Sequence, residues 1–234
     1  MNIRYITSTI ALLCLLPLTT FADGIDGNRY SNALTRAYHS EISASSAYLK
    51  TNKKGWHKHH HQQKGHDDDD KARAVIIDVR TVEEYVGGHP PRSYSIPFPH
   101  IYNRQHNPDK GDYIPQDPVA FVNAVNELDL PKDTLIITMC RTGYRSVLAG
   151  NLLAAEGYTN VRNMWEGFKG RLKQNLASED LDLDGNGVVD SSDPYSGDLD
   201  GWANYQGLPV AMKLKANLLY EPYLSLYYTV TGER

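Results

Sequence analysis

Two short runs of apolar residues constrain this chain more than anything else in it: Ala74-Val75-Ile76-Ile77 and Thr134-Leu135-Ile136-Ile137-Thr138-Met139. Each is too short for a stable helix and too continuous for a strand with one face in water. Strands of this kind are buried on both sides, which calls for helices above and below a parallel sheet. Each run ends in a polar turn that leads into a helix. After the first, Asp78-Val79-Arg80 precedes Thr81-Val82-Glu83-Glu84, a capping box. After the second, Cys140 to Arg145 precedes a helix from Ser146 to Glu156, with Val147, Leu148, Leu152 and Ala155 expected inward and Gly157 as its stop.

The remaining elements follow the same alternation. Ser43 to Leu49 reads as a short helix with Ala44, Ala47 and Tyr48 on one side. Gly87-Gly88-His89-Pro90-Pro91 breaks the first capped helix, and Tyr94 to Pro97 reads as a short strand. Asp117-Pro118 opens another helix, in which Val119, Val122, Val125 and Leu128 recur at helical spacing before Pro131 ends it. Asn160 to Met164 is a further strand. The predicted fold class is therefore α/β, a three-layer α/β/α arrangement with a central parallel sheet. In such sheets ligands bind beyond the carboxyl ends of the strands, where Cys140 lies.

The flanks have a different character. Residues 1–22 read as a secretory signal peptide: Arg4, an apolar stretch from Ile6 to Leu18, then Thr20-Phe21-Ala22 for cleavage. The apolar stretch is too short to span a bilayer comfortably, so the protein is expected to be exported, periplasmic or secreted, with no membrane attachment after cleavage. Residues 23–40 form an N-terminal segment and 41–210 the main domain. Within it, 53–73 is a loop insertion carrying His57, His59, His60, His61 and His66 before Asp67 to Asp70, read as solvated rather than as a metal site. Residues 211–234 are an aromatic-rich C-terminal segment expected to pack on the domain. A net charge of -4 gives no footprint for nucleic acid.

Loss of the leader would remove Cys14 and leave Cys140 as the one thiol, which rules out an internal disulfide. Cys140 sits between a buried strand and a helix start. Unpaired N–H groups and the helix dipole there favour a thiolate over a thiol. Arg141 and Arg145 add positive charge, and Gly143 permits a tight turn. Thr142, Tyr144 and Ser146 complete a small anion cradle with the sulfur at its base. The cradle suits an oxyanion of sulfur or phosphorus. Cysteine phosphatases place their Arg one residue further along, where this chain has Ser146, so the tighter loop here favours sulfur.

With these features the chain resembles the rhodanese family. The resemblance rests on Ala74 to Arg80 with Thr81-Val82-Glu83-Glu84-Tyr85, on Gly88-His89-Pro90 to Pro97, on Cys140-Arg141-Thr142-Gly143-Tyr144-Arg145-Ser146, and on Gly157-Tyr158 through Trp165-Glu166-Gly167-Phe168. It implies an α/β domain without organic cofactor that carries sulfur as a persulfide on Cys140. The donor would be a small sulfur anion such as thiosulfate. The acceptor would be cyanide, a small thiol or a protein thiol. It also implies that Arg141 and Arg145 act with Cys140, and that Asp78 and Arg80 brace the loop.

A second motif lies within residues 180–200. Asp182, Asp184, Asn186, Val188, Asp190 and Asp193 fall at the ligand spacing of a calcium loop, with Val188 offering its carbonyl. Asp193 stands where a longer Glu is usual, and Pro194 disfavours an exit helix. A structural Ca²⁺ is the expectation. The competing functions are a calcium-stabilised interaction module with little activity, and a cysteine phosphatase.

Overall fold

The structure is a computed structural model and describes residues 35–52, 74–102, 114–190 and 197–231. The leader, the His/Asp-rich stretch and Asp193 lie outside the described residues. The chain enters through strand β1, Ser40–Ile42, and helix α1, Ala44–Thr51. Strand β2, Val75–Asp78, leads into α2, Val82–Val86, and then into β3, Tyr94–Ser95. Two short strands, β4, His100–Tyr102, and β5, Ile114–Pro115, form a separate antiparallel pair. Helix α3, Pro118–Asn126, strand β6, Ile136–Met139, helix α4, Arg145–Ala155, and strand β7, Val161–Met164, follow, and helix α5, Leu224–Thr231, closes the chain.

The main sheet has the order β1-β7-β6-β2-β3, and all of its pairings are parallel. From β2 the chain moves to one side, towards β3; from β6 it moves to the other, towards β7. The junction of β2 and β6 is thus the switch point of the sheet, the place where folds of this kind bind their ligands. Asp78 and Met139 are register partners there, one residue before Val79 and Cys140.

Alternation along the central strands supplies two cores. Ile136 and Ile77 face the layer of α2, α3, α4 and α5, with Val82, Tyr85, Phe121, Val125, Val147, Leu153 and Tyr227. Ile76, Ile137 and Met139 face α1, Phe168 and Trp202. The three-layer parallel α/β expectation holds. Thr81 and Glu84 form the capping box of α2, Asp117 caps α3 with Pro118 in its first turn, and Gly157 follows α4 at φ +94°.

Three details differ from the sequence reading. In α3 the buried side chains are Phe121, Ala124 and Val125, while Val119 is exposed. The large Phe121 ring sets the inward face, and Val119 falls on its opposite side. In α4 the buried stripe is Ser146, Val147, Ala149, Gly150 and Leu153, and Ala155 is exposed. Small residues let this helix lie close to the sheet and to the segment ahead of β1: a Cβ on Gly150 would stand 3.0 Å from the Tyr38 ring and 3.5 Å from Thr138 Oγ1 of β6. Strand β1 is too short and polar to give a periodic signal, yet Tyr38, ahead of it, is already in the core.

Candidate active site at the tip of β6

The turn after β6 is built around one sulfur. Cys140 is 1% exposed. Its Sγ accepts a hydrogen bond from the Gly143 N–H at 3.1 Å and from the Ser146 hydroxyl at 3.4 Å. The chain doubles back between those donors because Gly143 adopts φ +85°, open to glycine at little cost. Thr138 in β6 ties the far side, donating from Oγ1 to the Ser146 carbonyl at 3.0 Å.

The two arginines have different surroundings. Arg141 is exposed, but its carbonyl accepts from the N–H groups of Lys169 and Gly170. Arg145 turns to α2, where Nη1 and Nη2 grip Glu84 at 2.7 and 2.8 Å. Burial alone would push the Glu84 carboxyl up, but the hydrogen bonds and charge of Arg145 bring it down to about 2. For Arg145 burial works against the charge, and Glu84 outweighs it, so the guanidinium is raised; Cys140 lies close enough to add to that rise. Thr142 is half-buried and Tyr144 stands 44% exposed at the rim.

Asp78 and Arg80 form a buried brace beside the turn. The Arg80 Nη2 donates to Asp78 at 2.7 Å and to the Gly88 carbonyl at 2.7 Å, Nη1 donates to the Glu84 carbonyl, and the guanidinium lies 3.8 Å over the Phe168 ring. This holds β2, α2 and the segment after β7 to one another. Such a buried pair adds little net stability, but losing one partner is costly.

Sequence reasoning missed the clamp on the other side. Phe168 N–H donates to the Cys140 carbonyl at 2.8 Å. Gly167 has φ +74°, and a Cβ there would lie 2.7 Å from the carbonyls of Cys140 and Arg141. The Trp165-Glu166-Gly167-Phe168 run was visible in the sequence; nothing local indicated that its backbone lies against the cysteine turn. Glu84 was legible as a cap, and its second role as the partner of Arg145 was not.

The acidic loop is organised by Asp182, which the spacing selected, and by Asp198, which it did not. Asp182 accepts from the N–H groups of Gly187, Gly185 and Asn186, which hold its carboxyl below the usual range. Asn186 accepts from the Val188 N–H, and the Asp190 N–H donates to Asp198 at 2.9 Å. Among the described residues the carboxylates that converge are Asp182, Asp184 and the buried Asp198, with ligand atoms within 4.8 Å of one another. All are hard oxygen donors, the set that suits Ca²⁺. Among the described residues no helix is long and apolar enough to cross a membrane.

The family model for the rhodanese-like domain matches residues 59–174. The uncharacterized protein RP600 of Rickettsia prowazekii (strain Madrid E) is 33% identical over 105 residues, which are 42% of this chain and 71% of that protein. Thiosulfate sulfurtransferase 18 of Arabidopsis thaliana is 30% identical over 92 residues, 39% of this chain and 62% of that one. A crystal structure of Rv0390 from M. tuberculosis superposes with a TM-score of 0.42 at 21% identity, over 75% of this chain and 99% of that one.

Proposed function

Because the chain belongs to the rhodanese-like domain family, we propose that it is a sulfurtransferase in which Cys140 carries sulfane sulfur as a persulfide. One observation carries the reading: the Cys140 sulfur receives an N–H from its own turn and a hydroxyl from the following helix, at the carboxyl end of the central strand. Preorganised donors of this kind stabilise negative charge on sulfur before and after transfer. In the first half-reaction the Cys140 thiolate attacks the outer sulfur of thiosulfate. The new S–S bond forms as the old one breaks, and sulfite leaves with the electron pair. In the second, cyanide or a thiolate attacks the terminal sulfur, and the electron pair returns to Cys140. Dividing the transfer in this way is nucleophilic catalysis.

Within this reading Arg141, exposed at the rim, meets the incoming anion, while Arg145 supplies fixed charge from its Glu84 mount. Thr142, Gly143, Tyr144 and Ser146 form the cradle, and Asp78 with Arg80 keeps the turn in place. A sulfur this enclosed favours small anions and is shielded from the thiol of a second copy. That shielding suits a protein proposed to act outside the cytoplasm after loss of residues 1–22.

The test is sulfite release from thiosulfate with cyanide as acceptor. Turnover is expected in the parent protein, with a loss of at least about a thousandfold in Cys140→Ser. Phosphate release from an aryl phosphate instead would assign the cradle to phosphoryl transfer. Neither activity would leave an interaction module.

The convergence of Asp182, Asp184 and Asp198 favours an additional structural Ca²⁺. In that arrangement Asp198 supplies a carboxylate to the loop, and Asn186 and the Val188 carbonyl lie in the same turn.

A further inference from the structure

Beneath the start of α4 the sheet carries polar side chains where a core would take apolar ones. Thr138 of β6, Asn163 of β7 and Glu41 of β1 are register partners across three neighbouring strands. Val161, two residues before Asn163, belongs to the core under α4, so Asn163 faces the same layer. Asn163 is fully buried. Its Nδ2 donates to Glu41 Oε2 at 2.8 Å and to the Gly143 carbonyl at 3.3 Å. Glu41 Oε1 accepts from the Tyr38 hydroxyl at 2.6 Å, and the Arg36 Nε lies 3.2 Å from it.

A carboxylate and a carbonyl can only accept, so the amide of Asn163 has one consistent orientation. That orientation leaves Oδ1 buried with no partner among the described residues. Apolar residues at both position 163 and position 41 would avoid that cost and the burial of a carboxyl group. What the pair does instead is hold the carbonyl of the residue whose N–H touches the sulfur. The turn at Gly143 is left-handed, and a fixed carbonyl settles which way its peptide groups point.

We propose that Asn163, steered by Glu41, is a positioning residue for the sulfur-binding turn: it holds the Gly143 carbonyl and thereby keeps the Gly143 N–H aimed at Cys140 Sγ. The role deepens the sulfur-transfer reading and rests on it for the identity of the anion. The charge recorded against Cys140 from a neighbouring element is Arg145, held by Glu84. Neither side chain of that pair is altered by changing Asn163, and Glu41→Gln and Glu41→Ala remove the same charge, so the contrast between them is free of it.

The experiment is the rate of Cys140 alkylation by iodoacetamide at fixed pH, followed on the Cys140 peptide by mass spectrometry in the full chain. Asn163→Ala is expected to react about fivefold to tenfold more slowly than the parent protein, the effect of one aimed hydrogen bond. Glu41→Gln keeps an acceptor oxygen for Nδ2 and is expected within about twofold of the parent; Glu41→Ala, which frees the amide to turn, is expected roughly threefold slower. Parent-like or faster alkylation in Asn163→Ala would overturn the proposal. So would Glu41→Gln as slow as Glu41→Ala, because packing alone would then explain the loss. Should Asn163→Ala fail to fold, the contrast between the two Glu41 variants decides. Alkylation needs no sulfur donor. If the variants behave as expected while the parent releases no sulfite, the positioning role stands and sulfur transfer falls.

Discussion

Glu84 closes the cap of α2 and grips Arg145 with both oxygens, so one carboxylate fixes a helix start and the charge beside the sulfur. Its folded-state value of about 2 lies below the ordinary 4.5. The stability it supplies is therefore present above about pH 4.5 and is lost as pH falls towards about 2. Both side chains are only about one-fifth to one-quarter exposed. With solvent screening discounted, roughly 2 kcal/mol is at stake. Glu84→Gln should lower stability by that amount at neutral pH and flatten the acid limb of a urea-unfolding profile between pH 5 and pH 2. An unchanged limb would contradict the pairing. At Gly167 a methyl group would meet the carbonyls of Cys140 and Arg141 in a left-handed conformation. Gly167→Ala should cost roughly 2 kcal/mol or more by denaturant titration and slow sulfite release with it. Cys140, Gly143 and Ser146 were legible from the sequence because they fall within one turn. The Arg145–Glu84 pair spans 61 positions, and no local spacing announces such a contact.

Helices and strands were legible wherever a cap or an unbroken apolar run marked them. Thr81, Asp117 and Gly157 placed three helix ends, and the two apolar runs became β2 and β6. The inward faces of α3 and α4 were less legible. In α3 the single Phe121 outweighs the spacing of the valines, and in α4 the small Ala149 and Gly150 decide the face, residues that hydrophobic spacing weighs poorly. Strand β1 was hidden because Ser40 and Glu41 are polar; Glu41 is buried through partners elsewhere in the chain. The C-terminal segment packs on the domain through α5. Tyr227 is fully buried, and its hydroxyl meets Ser95 Oγ of β3 at 2.8 Å. Tyr227→Phe leaves that hydroxyl of Ser95 without its partner, and should cost about 1 to 2 kcal/mol in equilibrium unfolding.

At the scale of the molecule, the acidic loop and the cysteine turn are joined by one short stretch of backbone. Asp198 receives N–H groups from Leu183 and Asp190, Trp202 donates its N–H to the Gly167 carbonyl, and Phe168 in turn binds the Cys140 carbonyl. A cation that tightened the loop would stabilise the fold as a whole. Millimolar Ca²⁺ should raise Tm by about 2 to 4 °C over a chelated sample, and Asp198→Asn should remove the rise. An equal Tm with and without Ca²⁺ would assign the loop to solvated acid alone. The switch point of the sheet was legible from the order of strands and helices. Its clamp by residues 165–170 was not, because it depends on contacts between distant turns. The most direct test of sulfur transfer through Cys140 is the intact mass of the protein after treatment with thiosulfate. A gain of one sulfur atom is expected, reversed by cyanide and absent in Cys140→Ser. An unchanged mass in the parent protein, or the same gain in the variant, would contradict a Cys140 persulfide.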